Sequence, residues 1–117
     1  MTAAAAVAAP KRIRTGILGI QHSHLAGKVD AMRASLCYEL AAVCEPDPAT
    51  RKARENLPVL KGLRWVSLDA LLGDASLDLI VFEGEVKDAL PLGRKVIEAG
   101  KHLHLEKPPG NRLEPFR

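Results

Sequence analysis

The sequence predicts an α/β domain built on a parallel sheet, and three observations carry that expectation. Short apolar runs alternate with stretches whose apolar residues recur at helical spacing. The joints between them are short, which favours right-handed crossovers and parallel pairing. One run, Leu77 to Phe82, is apolar throughout except at Asp78, as a strand covered by helices on both faces must be.

Arg14 to Gly19 reads as the first strand, and Leu25, Val29, Met32 and Leu36 repeat at helical spacing after it. Tyr38 to Cys44 is the second strand. It is stopped by Glu45-Pro46-Asp47-Pro48, where Asp47 caps and Pro48 opens a helix running to about Asn56. Trp65 and Val66 suggest a short third strand, and Ser67 with Leu68, Leu71 and Leu72 suggests one or two capped helical turns. Leu77 to Phe82 is the fourth strand. Val86, Leu90, Gly93 and Ile97 mark a helix face ended by Gly100, and Lys101 to Leu105 is the last strand. The expected architecture is a Rossmann-like parallel sheet with helices on both faces.

Composition bounds the partners. At 117 residues, 47% hydrophobic and 26% charged, the chain suits one globular domain with a modest core. Its net charge of +3 comes from scattered basic residues, and only four aromatics exist, so no nucleic-acid surface is expected. No stretch approaches the length of a membrane span. Cys37 and Cys44 are seven residues apart on one apparent strand, which sends them to opposite faces and leaves them unpaired. Unpaired thiols and the lack of a secretory signal point to the cytoplasm. Residues 1–11 read as a flexible Ala-rich leader. Residues 12–117 read as the domain, with Asn111 to Arg117 opening a further helix on Leu113 and Phe116. A domain rarely ends there, so the chain is expected to be the amino-terminal part of a longer protein.

Several motifs in order then carry a family likeness. They are Gly16-Ile17-Leu18-Gly19 after the first strand and Ala42-Val43-Cys44-Glu45-Pro46-Asp47-Pro48 after the second. Leu77-Asp78-Leu79-Ile80-Val81 lies in the fourth, and Glu98-Ala99-Gly100-Lys101-His102 leads into Glu106-Lys107-Pro108. From about Ile13 to Gly110 the sequence resembles the Gfo/Idh/MocA family of glucose-fructose oxidoreductases and inositol dehydrogenases. The resemblance implies a dinucleotide-binding domain truncated before a C-terminal α+β domain that supplies most substrate contacts. The activity it implies is hydride transfer between NAD, or NADP, and a sugar, cyclitol or related hydroxyl compound. It also allows a homo-oligomer formed through the second domain. Two rival readings stay open: a non-catalytic dinucleotide-binding or regulatory module, and an inactive truncated gene product.

The candidate site residues follow. A dinucleotide fingerprint, G-x-G-x-x-G, lets backbone approach a pyrophosphate at a helix N-terminus. Gly19 fills the first position, while Gln21 and His24 stand at the second and third, so the fingerprint is degenerate. The stretch Gln21-His22-Ser23-His24 still offers donors to phosphate. Glu45 follows the second strand, where a carboxylate either accepts from ribose hydroxyls and repels a 2′-phosphate or serves as a helix-start acid. Arg51 and Lys52 nearby are the reservation in favour of NADP.

After the fourth strand the family shows Thr-Pro-Asn and a histidine, whereas this chain has Glu83-Gly84-Glu85, two acids that either bind a polyol or simply face water. His22 with His24 and His102 with His104 have alternate spacing, but no cysteine or paired acid sits at ligand spacing, so no metal is expected. The first pair reads as phosphate-loop donors, the second as strand-packing or cleft-lining residues. Lys107 is either a solvated loop lysine or, as the resemblance implies, the group assisting proton transfer beside the nicotinamide, with Glu106 and Pro108 orienting it.

Overall fold

In a computed structural model, residues 11–110 and Leu113 are described. The Ala-rich leader before them lies outside the described residues, and so does the expected terminal helix apart from Leu113.

Five strands pair in parallel in the order β3-β2-β1-β4-β5, with β1 at Ile13–Leu18, β2 at Tyr38–Cys44, β3 at Arg64–Trp65, β4 at Leu79–Phe82 and β5 at His102–Leu105. Helices α1 (Leu25–Ala34), α2 (Pro48–Arg54), α3 (Leu68–Gly73) and α4 (Val86–Glu98) fill the crossovers. The expected parallel α/β architecture is therefore the one observed. The chain runs outward from β1 to β3 on one side, then returns to place β4 and β5 on the other.

Strand alternation divides the core into two layers. Ile17 and Val43 point to one face, where Ile20, Leu25, Val29 and Leu60 bury them beneath α1. Leu18, Ala42 and Cys44 point to the opposite face, packed with Leu71, Ile80, Phe82 and Val96 from α3, β4 and α4. Period two in the strands and period 3.6 in the helices thus meet on both sides of one sheet. Gly93 lets α4 lie close to β5, because a Cβ there would stand 3.0 Å from Leu103 Cδ2.

The caps are those the sequence names. The Asp47 carboxylate accepts from the Thr50 N–H and hydroxyl, with Pro48 opening α2, and Ser67 Oγ accepts from the Ala70 N–H at the start of α3. Gly100 ends α4 at φ +79°. Several boundaries shift. Leu36 falls beyond α1 and is exposed, α2 ends at Arg54, β3 is Arg64–Trp65 and excludes Val66, and β4 begins at Leu79, while a 3-10 turn at Pro58–Leu60 supplies a core leucine the helical pattern did not reveal.

Lys101, read as the start of the last strand, instead precedes β5 and is buried. Its ammonium donates to the carbonyls of Asp74 (2.6 Å) and Leu77 (3.0 Å), tying the α3–β4 joint to the end of α4. Cys37 and Cys44 are both free, the first exposed and the second buried. No described helix is long and apolar enough to cross a membrane.

Candidate functional site

Strand order reverses between β1 and β4, and in open parallel sheets ligands bind outside the carboxyl ends of the strands at that reversal. Gly19 stands there at φ +85°. A Cβ on it would lie 2.5 Å from both the N and Cα of Gly84, so the loops after β1 and β4 meet backbone to backbone. Two hydrogen bonds fasten the contact: the His22 N–H donates to the Glu83 carbonyl at 2.7 Å, and the Glu83 N–H donates to the Leu18 carbonyl at 2.9 Å.

Beside this contact is a cleft of about 370 Å³, lined by Gly19, Gln21, Glu45, Asp47, Gly84 and Leu92 among others. Glu45 is half-buried at its rim. One of its carboxylate oxygens accepts the Ile20 N–H and the other accepts the Asp47 N–H, each at 2.9 Å. Glu45 thereby braces the β1 and β2 loops against each other, and each oxygen keeps a further lone pair for a ligand. Arg51 is committed elsewhere, its guanidinium 4.5 Å from the Trp65 ring centroid and its Nε 3.3 Å from Glu55. Burial pushes the neighbouring Cys44 thiol up to about 11, with the Glu45 charge adding to the effect, so that thiol is unreactive at neutral pH.

The turn into α1 supplies donors. His24 occupies the N-cap position, but its side chain does not cap; its own N–H donates to His22 Nδ1 at 3.0 Å. The N–H groups of Ser23, Ala26 and Gly27 have no partner among the described residues, as at the first turn of any helix without a side-chain cap.

On the other side of that turn lies a charged cluster. Glu106, just past β5, is buried, and its Oε2 accepts from the Lys28 ammonium of α1. Its Oε1 lies 3.3 Å from His24 Nδ1 and accepts the Lys107 N–H at 3.1 Å. Burial works to raise the Glu106 pKa, but the Lys28 ammonium, then the Lys107 N–H and His24, outweigh it and hold the carboxyl down at about 2. For Lys28, burial opposes the charge and the two carboxylates Glu106 and Glu83 override it, so its pKa is raised. Lys28 Nζ also sits 2.9 Å from His104 Nε2 and 2.7 Å from Glu83 Oε1.

Glu83 corrects an expectation. It does not face water: the residue is fully buried, and neither carboxylate oxygen has a well-directed hydrogen bond, since Lys28 approaches one of them off-line. The preceding β4 residue, Phe82, packs into the core, and the strand's alternation turns Glu83 inward toward α1. Glu85 does face water, paired with Lys87 at 3.4 Å.

The structure therefore gathers Gly19, Gln21 and Glu45 around the cleft, and His22, His24 and Glu106 around the start of α1. Lys107 is exposed beside the cluster, and the bond joining it to Pro108 is cis. His102 sits at the opposite end of β5, opposite Leu79, away from the crevice. Lys28 was not singled out by the sequence reading, and Glu83 entered it only as one of the two acids of the loop after the fourth strand. The available signal for Lys28 was its position one helical turn after His24, on the same face of α1.

No family model and no curated protein sequence matches the chain. Solved structures do. A protein from Erwinia carotovora atroseptica taken to be an oxidoreductase superposes with TM-score 0.75 at 30% identity over 89% of this chain and 31% of that one. A protein from Sinorhizobium meliloti taken to be a myo-inositol dehydrogenase gives 0.69 at 26% over 88% and 30%. Scyllo-inositol dehydrogenase from Lactobacillus casei, with bound NAD(H) and scyllo-inositol, gives 0.70 at 24% over 90% and 31%, a likeness of fold. The chain thus spans about 30% of the length of such structures.

Proposed function

We propose that this chain, whose structural matches are Gfo/Idh/MocA-type oxidoreductases and whose fold is that of their N-terminal domain, is an NAD-binding domain formed by residues 12–117. The observation that carries the reading is the crevice at the β1/β4 reversal, where glycine backbone from both loops closes up beside a cleft rimmed by Glu45. A Cβ at Gly19 would force the two loops apart, and the start of α1 that follows the first loop keeps N–H groups unpaired among the described residues, both of which support a dinucleotide here.

The turn Gln21-His22-Ser23-His24 then faces the pyrophosphate through the Gln21 side chain and the free Ser23 N–H, the His22 and His24 rings being turned to Glu83 and Glu106. Glu45 offers its remaining lone pairs to ribose hydroxyls. A 2′-phosphate brought to it meets like charge, and Arg51 is turned to Trp65, which supports NAD over NADP. The bound nicotinamide supplies the hydride acceptor or donor. Lys107, whose side chain has no ion-pair partner among the described residues, holds a proton for the oxygen of a sugar or cyclitol, with Glu106 fixing its backbone N–H. The substrate, any homo-oligomer and a cytoplasmic setting belong to this same reading, the last supported by the two free thiols. A non-catalytic dinucleotide-binding module is the second reading, favoured by the Glu83-Gly84-Glu85 loop with its inward acid.

Calorimetry with NADH and NADPH tests the cofactor assignment. NADH is expected to bind more tightly, and Glu45→Ser to narrow the difference while weakening both ligands through loss of the Ile20 and Asp47 braces. Equal affinities in the unmutated chain, or a preference unchanged by the substitution, would show that Glu45 is only a helix-start acid.

A further inference from the structure

Two buried carboxylates, Glu83 and Glu106, share one ammonium, leaving a surplus negative charge beneath the start of α1. Lys28 uses only one oxygen of each, Glu83 Oε1 and Glu106 Oε2. The oxygens it does not touch face two imidazoles: Glu106 Oε1 lies 3.3 Å from His24 Nδ1, and Glu83 Oε2 lies 3.9 Å from His22 Nδ1. Glu83 Oε2 is a fully buried acceptor with no hydrogen bond. Leaving such an atom unpaired is costly unless a proton or a cation meets it.

We propose that His22, His24 and Glu106 form a binding site for a divalent ion of the zinc class, with the unpaired Glu83 Oε2, 3.9 Å from His22 Nδ1, as the buried negative charge beside it. Ligating atoms of the three lie within 4.8 Å of one another. The 3.3 Å between His24 and Glu106 is the spacing two ligands take around a tetrahedral ion with bonds of about 2.0–2.2 Å. Two imidazoles and one carboxylate are a donor set that zinc accepts, with a fourth position left for water. Lys28 is then the outer partner that orients both carboxylates from behind. His24, with its side chain 57% exposed, is the entry side. Binding at His22 Nδ1 replaces the hydrogen bond it accepts from the His24 N–H, a local exchange within one turn. The alternate spacing of His22 and His24 was visible in the sequence, but the acids arrive from the ends of β4 and β5, far along the chain from the histidines, which is why no metal was expected there.

The test is titration of zinc chloride into the untagged protein carrying Cys37→Ser, which removes the exposed thiol, with heat and melting temperature both recorded. One ion per chain is expected, raising the melting temperature. His22→Ala and His24→Ala, on partly exposed side chains that leave the core intact, should each weaken binding at least about tenfold with an unchanged circular dichroism spectrum. His102→Ala should leave it unaltered. Binding that is the same in the parent and the His22→Ala/His24→Ala double variant, including none in either, overturns the site, as does an equal loss in His102→Ala.

Discussion

Replacing Gly19 by alanine tests the crevice most directly. The left-handed conformation at φ +85° costs a non-glycine residue roughly 1–2 kcal/mol. The new methyl would stand 2.5 Å from Gly84 N and Cα, short of the 3.4 Å at which ordinary contact begins, so the two loops must part. The atoms in the way are backbone, which has no rotamer to yield. Parting strains the His22–Glu83 and Glu83–Leu18 backbone bonds, each contributing about 1 kcal/mol net. The combined loss is about 3–4 kcal/mol, a large share of the roughly 5–15 kcal/mol that stabilises a domain of this size. Urea unfolding followed by circular dichroism reads it. Gly27→Ala in α1 is the control: nothing lies within 4 Å of its added Cβ, so stability should rise by about 0.5–1 kcal/mol. A Gly19→Ala protein within about 1 kcal/mol of the parent would refute the claim that these backbones are in obligatory contact.

Three further outcomes are expected. The Glu106 pKa is lowered from 4.5 to about 2, so the stability it confers is complete above pH 4.5 and fades as pH falls toward 2. Denaturant titrations across that window should show a loss on the order of 2 kcal/mol, absent in Glu106→Gln. Lys101→Met should destabilise by about 2–3 kcal/mol, because the Asp74 and Leu77 carbonyls lose a charged donor in a buried place; an unfolding midpoint equal to the parent's would count against that staple. In a protein carrying the substrate domain, Lys107→Ala should lower kcat by roughly 10²–10⁴ with cofactor affinity nearly constant. An unchanged kcat would make Lys107 a solvated lysine.

Much of the fold is legible because its cause is local. The strands at β1, β2 and β4 announce themselves as apolar runs, and Asp47, Ser67 and Gly100 end or begin helices through chemistry confined to a few residues. The 3-10 turn at Pro58–Leu60 was hidden because a single buried leucine has no period. At the crevice, Gly19 was readable from its place after β1, yet Gly84 opposite it was not, since their contact is made by the crossing of two loops. Glu83 looked like surface because acids usually are. Its burial depends on Lys28 reaching across from α1 and on His104 arriving with β5, and no window of sequence contains all three.

The two margins of the sheet are unlike. At β3 the strand is two residues long and an arginine lies over its tryptophan, so little backbone is offered to a neighbouring molecule. At β5 the four residues from His102 to Leu105 pair with β4 on one side, and no described strand pairs with the other. Open backbone donors and acceptors along a strand are a template for further pairing. A sixth strand, from whatever segment, would therefore be received at the β5 margin, beside the strand whose end carries Glu106 and Lys107.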